Sequence, residues 1–262
     1  MREFAPTRTL LKGMLRLRAY SDRRIAGAAA AADAADKLRK LLATQQSVRM
    51  VFAAAPSQNE FLDCLAAEPH IEWQRVTVFH MDEYIGLAEL APQSFGRYLK
   101  DRLFDRVRPG RVHLMNPANG AKAVAAAYEA LIREAPIDIV CLGIGENGHL
   151  AFNDPPVADF DDPRWVKEVE LDRVCRQQQV NDGCFDSLEE VPTRALTMTI
   201  PTIMSASHLI CVVPGSRKRE AIRQTIHGEM TTACPSTILR THPDCVLYTD
   251  NEGFESEAQG ES

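Results

Sequence analysis

The chain has 262 residues, of which 45% are apolar and 25% charged, with a formal net charge of −6. These values describe an ordinary globular protein able to bury a core without staples, and they exclude collagen-like and disordered classes. A net acidic chain repels a phosphate backbone, which argues against nucleic acid as a partner, and no apolar run reaches the roughly 20 residues of a membrane-spanning helix.

The first 20 residues, MREFAPTRTLLKGMLRLRAY, are basic and partly apolar. They lack a continuous apolar segment with a small-residue cleavage site, so they read as an arm packed on the domain rather than a secretory leader. Ser21-Asp22 marks the start of an Ala-rich helix running to about Ala43. The Ala run at 27–32 reads as a close-packed helix face. Val48–Ala54 is a short β-rich apolar run, and Asn59–Ala67 shows helical spacing. Val76–His80 reads as a strand ending in the polar loop MDEYIGL. A helix is predicted over Phe95–Val107, a brief strand over Val112–Met115, and an Ala-rich helix over Ala121–Ala135 that Pro136 stops. Ile137–Leu142 is a buried-strand candidate running into GIGENGH. After a polar stretch come strands over Leu196–Ile200 and Leu209–Val213, a helix from Ser216 to His227, and a last strand over Val246–Thr249.

Short apolar strands alternating with helices are the βαβ signature of a mostly parallel sheet covered on both faces. No Pro/Gly/Ser linker divides the chain. Residues 1–262 therefore read as one α/β domain, with an N-terminal arm over about 1–20 and an acidic tail over about 251–262. The seven cysteines are odd in number and show no C-x-x-C spacing, which favours a reducing, cytoplasmic setting over a disulfide framework or a structural zinc. No H-x-x-x-H pair suggests a metal, so no metal is expected.

In such sheets ligands sit at the carboxyl ends of the strands, so the informative residues follow each strand. Asp82 and Glu83 follow Val76–His80. Adjacent acids point in different directions, and one of them, partly desolvated, suits a general base. In GIGENGHLAFNDPP (143–156), Gly143, Gly145 and Gly148 permit close backbone approach to a ligand. His149 lies between Asn147 and Asp154 and suits proton transfer, once a partner fixes its tautomer. The G-x-G-x-x-G spacing does not make a dinucleotide site, because Asp154-Pro155-Pro156 breaks any following helix. Ser57 and Gln58 in AAPSQ, and Lys218 in PGSRK behind a Ser216 cap, are anion-binding candidates. No G-x-S-x-G elbow is present, which weighs against a serine hydrolase.

FHMDEYIGL (79–87) resembles the MDEY-x-GL loop of glucosamine-6-phosphate deaminases, and GIGENGHLAFNDPP resembles their second catalytic loop. VPTRALTMTIPTI (191–203) and GSRK (215–218) are similar to two further family segments, so the resemblance spans about residues 46–250. It implies a Rossmann-like three-layer α/β/α sandwich and an aldose–ketose isomerisation with loss of ammonia, acting on an amino-sugar phosphate without metal or redox cofactor. By the same resemblance Asp82 is the base that moves a proton from C2 to C1, and His149 promotes ring opening with Asp154 as its acid partner. Asn147 falls on an Asp/Asn position of the family, and Lys218 on a phosphate-binding lysine. The family's glycine-rich first loop is replaced here by AAAPSQNEF (53–61). Its phosphate-binding arginine falls on Gln178, with Arg176 two residues away as the candidate cation. Family members include monomers and hexamers, which leaves a homo-oligomer open. Two alternatives stand beside this reading: a 6-phosphogluconolactonase-like lactonase, and a non-catalytic sugar-phosphate-binding regulator.

Overall fold

The computed structural model describes residues 4–88 and 91–254. Eight strands form one sheet in the order β1 (Arg8–Lys12), β2 (Leu15–Tyr20), β11 (Cys245–Asp250), β10 (His208–Val212), β7 (Ile139–Leu142), β3 (Val48–Phe52), β4 (Val76–His80), β6 (Arg111–His113). Every neighbouring pair is parallel except the β1–β2 hairpin. β3 and β7 are side by side, yet the chain goes outward from β3 to β4 and β6 and from β7 to β10 and β11. The strand order therefore reverses between β3 and β7, which opens a crevice beyond their carboxyl ends.

Two apolar layers flank the sheet. On one face Met50, Phe52, Val78 and Ile139 pack against α1 (Arg23–Thr44), α2 (Asn59–Ala66) and the helical segment from Phe95, called α3. On the other, Val51, Phe79, Val140 and Leu142 meet α4 (Ala121–Arg133), α6 (Ile200–Met204) and α7 (Arg219–His227). This is the three-layer α/β/α sandwich expected. Asp22 caps α1, accepting from the backbone N–H groups of Arg24 and Ile25. The alanines of α1 are the buried face, and Gly27 lets α2 come close: a Cβ there would lie 2.8 Å from Glu60 Cβ. The α3 segment runs to Val107 through a π turn at Lys100–Phe104 that keeps Leu103 and Phe104 buried.

The structure departs from the expected elements in three places. The N-terminal arm is a β-hairpin, and its second strand extends the sheet beside β11. Leu15, Leu17 and Ala19 are buried while Arg16 and Arg18 are not, an alternation of period two that belongs to a strand. The polar stretch before Leu196 contains β8 (Val166–Glu170) and α5 (Arg173–Asn181). The Leu196 strand, β9 (Arg194–Met198), leaves the main sheet and joins β5 (Asp82–Tyr84) and β8 in a small antiparallel sheet. The acidic tail expected from about 251 lies, from residue 255 onward, outside the described residues. No helix among the described residues is long and apolar enough to cross a membrane.

Candidate active site

The crevice at the strand reversal is lined by residues that follow four strands of the main sheet. Ala53 to Ala55, Ser57 and Gln58 follow β3, and Met81 and Asp82 follow β4. Gly143 to Gly145 and His149 follow β7, Lys218 follows β10, and Gln178 and Gln179 come from α5. A cavity of about 290 Å³ lies elsewhere, beside Glu83, Ser94 and Lys100, and it shares none of these cleft residues.

Asp82 is 6% exposed, and among the described residues its carboxylate has no hydrogen-bond partner. Burial first, and then the charges of Glu83 and Asp154, raise its pKa well above the ordinary carboxylate value. Glu83 points the other way. It accepts from the N–H groups of Tyr84 (3.0 Å), Phe95 (3.1 Å) and Gly96 (2.9 Å), tying β5 to the start of α3. Burial outweighs those bonds and pushes it up to about 7. The two acids thus face opposite directions, as their adjacency on an extended backbone requires. His80, just before them, accepts from Met115 N–H through Nε2 at 2.7 Å, and burial lowers its pKa to about 3. It is a neutral structural histidine that fixes the end of β4.

The loop after β7 is closed by its own side chains. His149 Nδ1 stands 2.8 Å from Asn147 Oδ1 and 3.0 Å from Asp154 Oδ1. Asn147 donates through Nδ2 to Asp154 Oδ1 (2.9 Å), and its Oδ1 also accepts from the His149 N–H (3.1 Å). Two acceptors at Nδ1 place the proton there, which leaves Nε2 with no protein partner among the described residues. Gly145 is required for this geometry, since a Cβ would lie 2.1 Å from the imidazole ring. Burial raises the pKa of Asp154, but the His149 charge and the bonds from His149, Asn147 and Cys175 outweigh it and hold the carboxyl low.

Asn153 bonds Leu150 and Met198 carbonyls, and Phe152 N–H donates to Thr197 Oγ1, so the loop is pinned to β9. Gly148 has φ +86, and a Cβ there would strike Cys234 Sγ at 2.5 Å. Its carbonyl accepts from Ser236 N–H, so this candidate serves the loop and does not line the cleft.

Gln58 Nε2 reaches Ser57 Oγ (3.1 Å) and the Val212 carbonyl (3.0 Å), filling space across Gly143. Lys218 is 7% exposed and has no ion pair or hydrogen bond from its ammonium among the described residues. Burial lowers its pKa, against the opposing pull of Asp182 and Glu146. The expected Ser216 cap is absent. Gly215 occupies the cap position with φ +97, and its N–H donates to Asp250. Arg176 turns away from the cleft and bonds the Leu188 and Val191 carbonyls, so it is not placed to meet a ligand there. Gln178 lines the cleft, with Oε1 engaged by Glu146 N–H at 2.9 Å.

Sequence reading missed Gln179, which lines the cleft with its carboxamide unpartnered among the described residues, and Cys175, which packs beside Asp154. The helical face i, i+3, i+4 from Cys175 is the signal that would have found both.

The sequence pattern of the glucosamine-6-phosphate isomerases/6-phosphogluconolactonase family matches residues 21–247. A glucosamine-6-phosphate deaminase of Exiguobacterium sp. (strain ATCC BAA-1283 / AT1b) is 42% identical over 181 residues, 69% of each chain. One from Listeria monocytogenes serovar 1/2a is 37% identical over 210 residues, 80% of this chain and 88% of that one. Among solved structures, a monomeric glucosamine-6-phosphate deaminase superposes with a TM-score of 0.83 at 28% identity, covering 90% of this chain and 98% of that one. The 6-phosphogluconolactonase of Thermotoga maritima, with a TM-score of 0.73 at 18% identity over 89% of this chain and 98% of that one, shares the fold. The chain belongs to the glucosamine-6-phosphate isomerase/6-phosphogluconolactonase family.

Proposed function

We propose that this enzyme converts glucosamine 6-phosphate and water to fructose 6-phosphate and ammonia. The observation that carries the reading is the unpartnered Asp82 carboxylate in the same cleft as the locked His149–Asp154 pair and the unpartnered Lys218 ammonium. A proton shuttle between neighbouring sugar carbons needs one ionised base near both carbons and a separate group serving the ring oxygen.

In this mechanism His149 Nε2 exchanges a proton with the ring oxygen or O1 and opens the pyranose. Asp154 holds the imidazole in its Nδ1–H tautomer and stabilises it when charged. Asp82 then removes the C2 proton of the open aldose while O1 takes up a proton, giving an enolamine; Asp82 returns its proton to C1 and the amino group gives one up, which balances the proton gained at O1. The resulting C2 imine takes up water and expels ammonia, leaving the ketose. Desolvation makes Asp82 a stronger base than an exposed carboxylate, and deprotonation is the condition for its work. Lys218, with Gln179, Gln58 and Ser57, receives the phosphate end. A phosphorylated sugar substrate and seven thiols suit the cytoplasm.

The test is a product assay. Pure protein with glucosamine 6-phosphate is expected to release ammonia and fructose 6-phosphate one for one, and to leave 6-phosphogluconolactone at its uncatalysed rate of opening. Lactone opening without ammonia release would move the reading to the lactonase branch of the family.

A further inference from the structure

We propose that His149, Asp154 and Cys175 form a binding site for a divalent cation of the zinc class, and that occupancy silences the proton relay. The three side chains come from the loop after β7, its far end, and the first turn of α5. Each is buried and offers one ligand atom, and these atoms all lie within 4.8 Å of one another. Ligands on one tetrahedral zinc stand at about 2.0–2.3 Å from it, so small side-chain rotations would close the cluster around an ion. Imidazole nitrogen, thiolate sulfur and carboxylate oxygen together favour zinc over magnesium or calcium.

A second, independent observation points to a cation. Asp154 is 1% exposed, its Oδ1 serves His149 and Asn147, and its buried Oδ2 meets no N–H or O–H donor among the described residues, the Cys175 thiol being the one weak donor beside the carboxylate. A buried carboxylate oxygen left with only a weak thiol donor is a poorly met electrostatic demand, and a metal ion held by that thiolate and this oxygen would meet it. Three protein ligands leave a fourth position for water.

Binding is balanced in protons. Cys175 releases its thiol proton to solvent as it ligates the ion, and His149 moves its proton from Nδ1 to Nε2, so one proton leaves per ion bound. The metal then occupies Nδ1, and Asp154 no longer supports the imidazole. Nε2 cannot cycle between donor and acceptor, and ring opening stops. The ligands are separated by five and twenty-one positions in the chain, so no short metal motif announces them.

Metal binding is measured directly, apart from catalysis, so that its failure differs from failure of the proposed reaction. The full chain, freed of metal by chelator, is titrated with Co²⁺ and followed by its thiolate-to-metal charge-transfer absorption, then competed with Zn²⁺. One ion per chain is expected, with the band lost and affinity at least tenfold weaker in Cys175→Ser and Cys175→Ala. Cys184→Ser and Cys234→Ser, at the partly exposed thiols, should keep both. Circular dichroism verifies that each variant is folded. Zinc should inhibit turnover reversibly by chelator, and Cys175→Ser should need at least tenfold more zinc for the same inhibition. Absence of the band, its persistence in both Cys175 variants, or its loss in Cys184→Ser or Cys234→Ser overturns the site.

Discussion

Beside the cleft, His149, Asn147 and Asp154 hold one another through contacts of 2.8–3.1 Å, and the loop carrying them is pinned to β9. Lys218 and Gln179, which line the same cleft, are by contrast buried side chains whose polar groups meet no protein partner among the described residues. The imidazole must present a fixed tautomer to a reacting atom, and preorganisation supplies that before the substrate arrives. The ammonium and carboxamide are completed by the ligand, so their cost of burial is recovered only on binding. Changes in the first group should therefore lower kcat, and changes in the second should raise KM.

The largest effect marks the limit of that contrast, because Asp82 is unpartnered like the second group yet acts on the reacting carbons. Asp82→Asn should keep the fold and lower kcat by about 10²- to 10⁴-fold, the range of a lost general base. Near-normal steady-state turnover in that variant would remove Asp82 from the mechanism. His149→Gln should cost about 10²-fold, the low end of the same range, and recover in part when the sugar is supplied in open-chain form. Equal loss with both forms would show that ring opening is not its task.

Lys218→Met tests the second group. Loss of a charge-assisted hydrogen bond of about 1.5–3 kcal/mol should raise KM roughly 10- to 150-fold with a smaller change in kcat. Gln179→Ala removes an uncharged donor to the same phosphate, about 1.5 kcal/mol at the low end of bonds to charged groups, and should raise KM roughly 10-fold. If either variant lowered kcat and left KM unchanged, the division into preorganised and ligand-completed groups would fail.

Glu83→Gln should have the smallest effect on turnover, because Glu83 faces the start of α3 rather than the cleft. Its signature is in stability. Folding raises the Glu83 pKa from 4.5 to about 7, so the folded state holds the extra proton. The stability this contributes is fully present below about 4.5 and is lost as pH rises through about 7. Chemical denaturation at several pH values should show wild type losing stability across that window relative to Glu83→Gln. A pH-independent difference between the two would contradict the raised pKa. By the same sign, kcat/KM should fall as pH drops through the elevated pKa of Asp82.

Much of this was readable from the chain because local patterns carried it. The apolar runs at 48–54, 76–80, 137–142 and 209–213 hold the central strands of the sheet, buried on both faces and hence apolar without alternation. Asp82 and the Asn147–Asp154 loop stood out because a strand end delivers each into the crevice. β8 was hidden by its charges. Lys167, at 4% exposed, is buried against Asp162 at 3.0 Å, a pairing that no sequence window shows. The departure of β9 into the small sheet depends on β5 and β8, long-range partners that periodicity does not encode. Arg176 looked like the better anion ligand on charge alone. The helix that starts at the Asp172 cap instead presents Cys175, Gln178 and Gln179 inward and turns Arg176 toward the Leu188–Val191 turn.

The central claim is that Asp82 carries one proton from C2 to C1 of an amino-sugar phosphate. Glucosamine 6-phosphate deuterated at C2 tests it most directly, with product analysed by NMR for wild type and Asp82→Asn. The account expects ammonia release, slower turnover of the deuterated sugar, part of the deuterium at C1 of fructose 6-phosphate, and none of this in the variant. Ketose formed by wild type with no isotope effect and no deuterium at C1, or formed at an undiminished rate by folded Asp82→Asn, would contradict it.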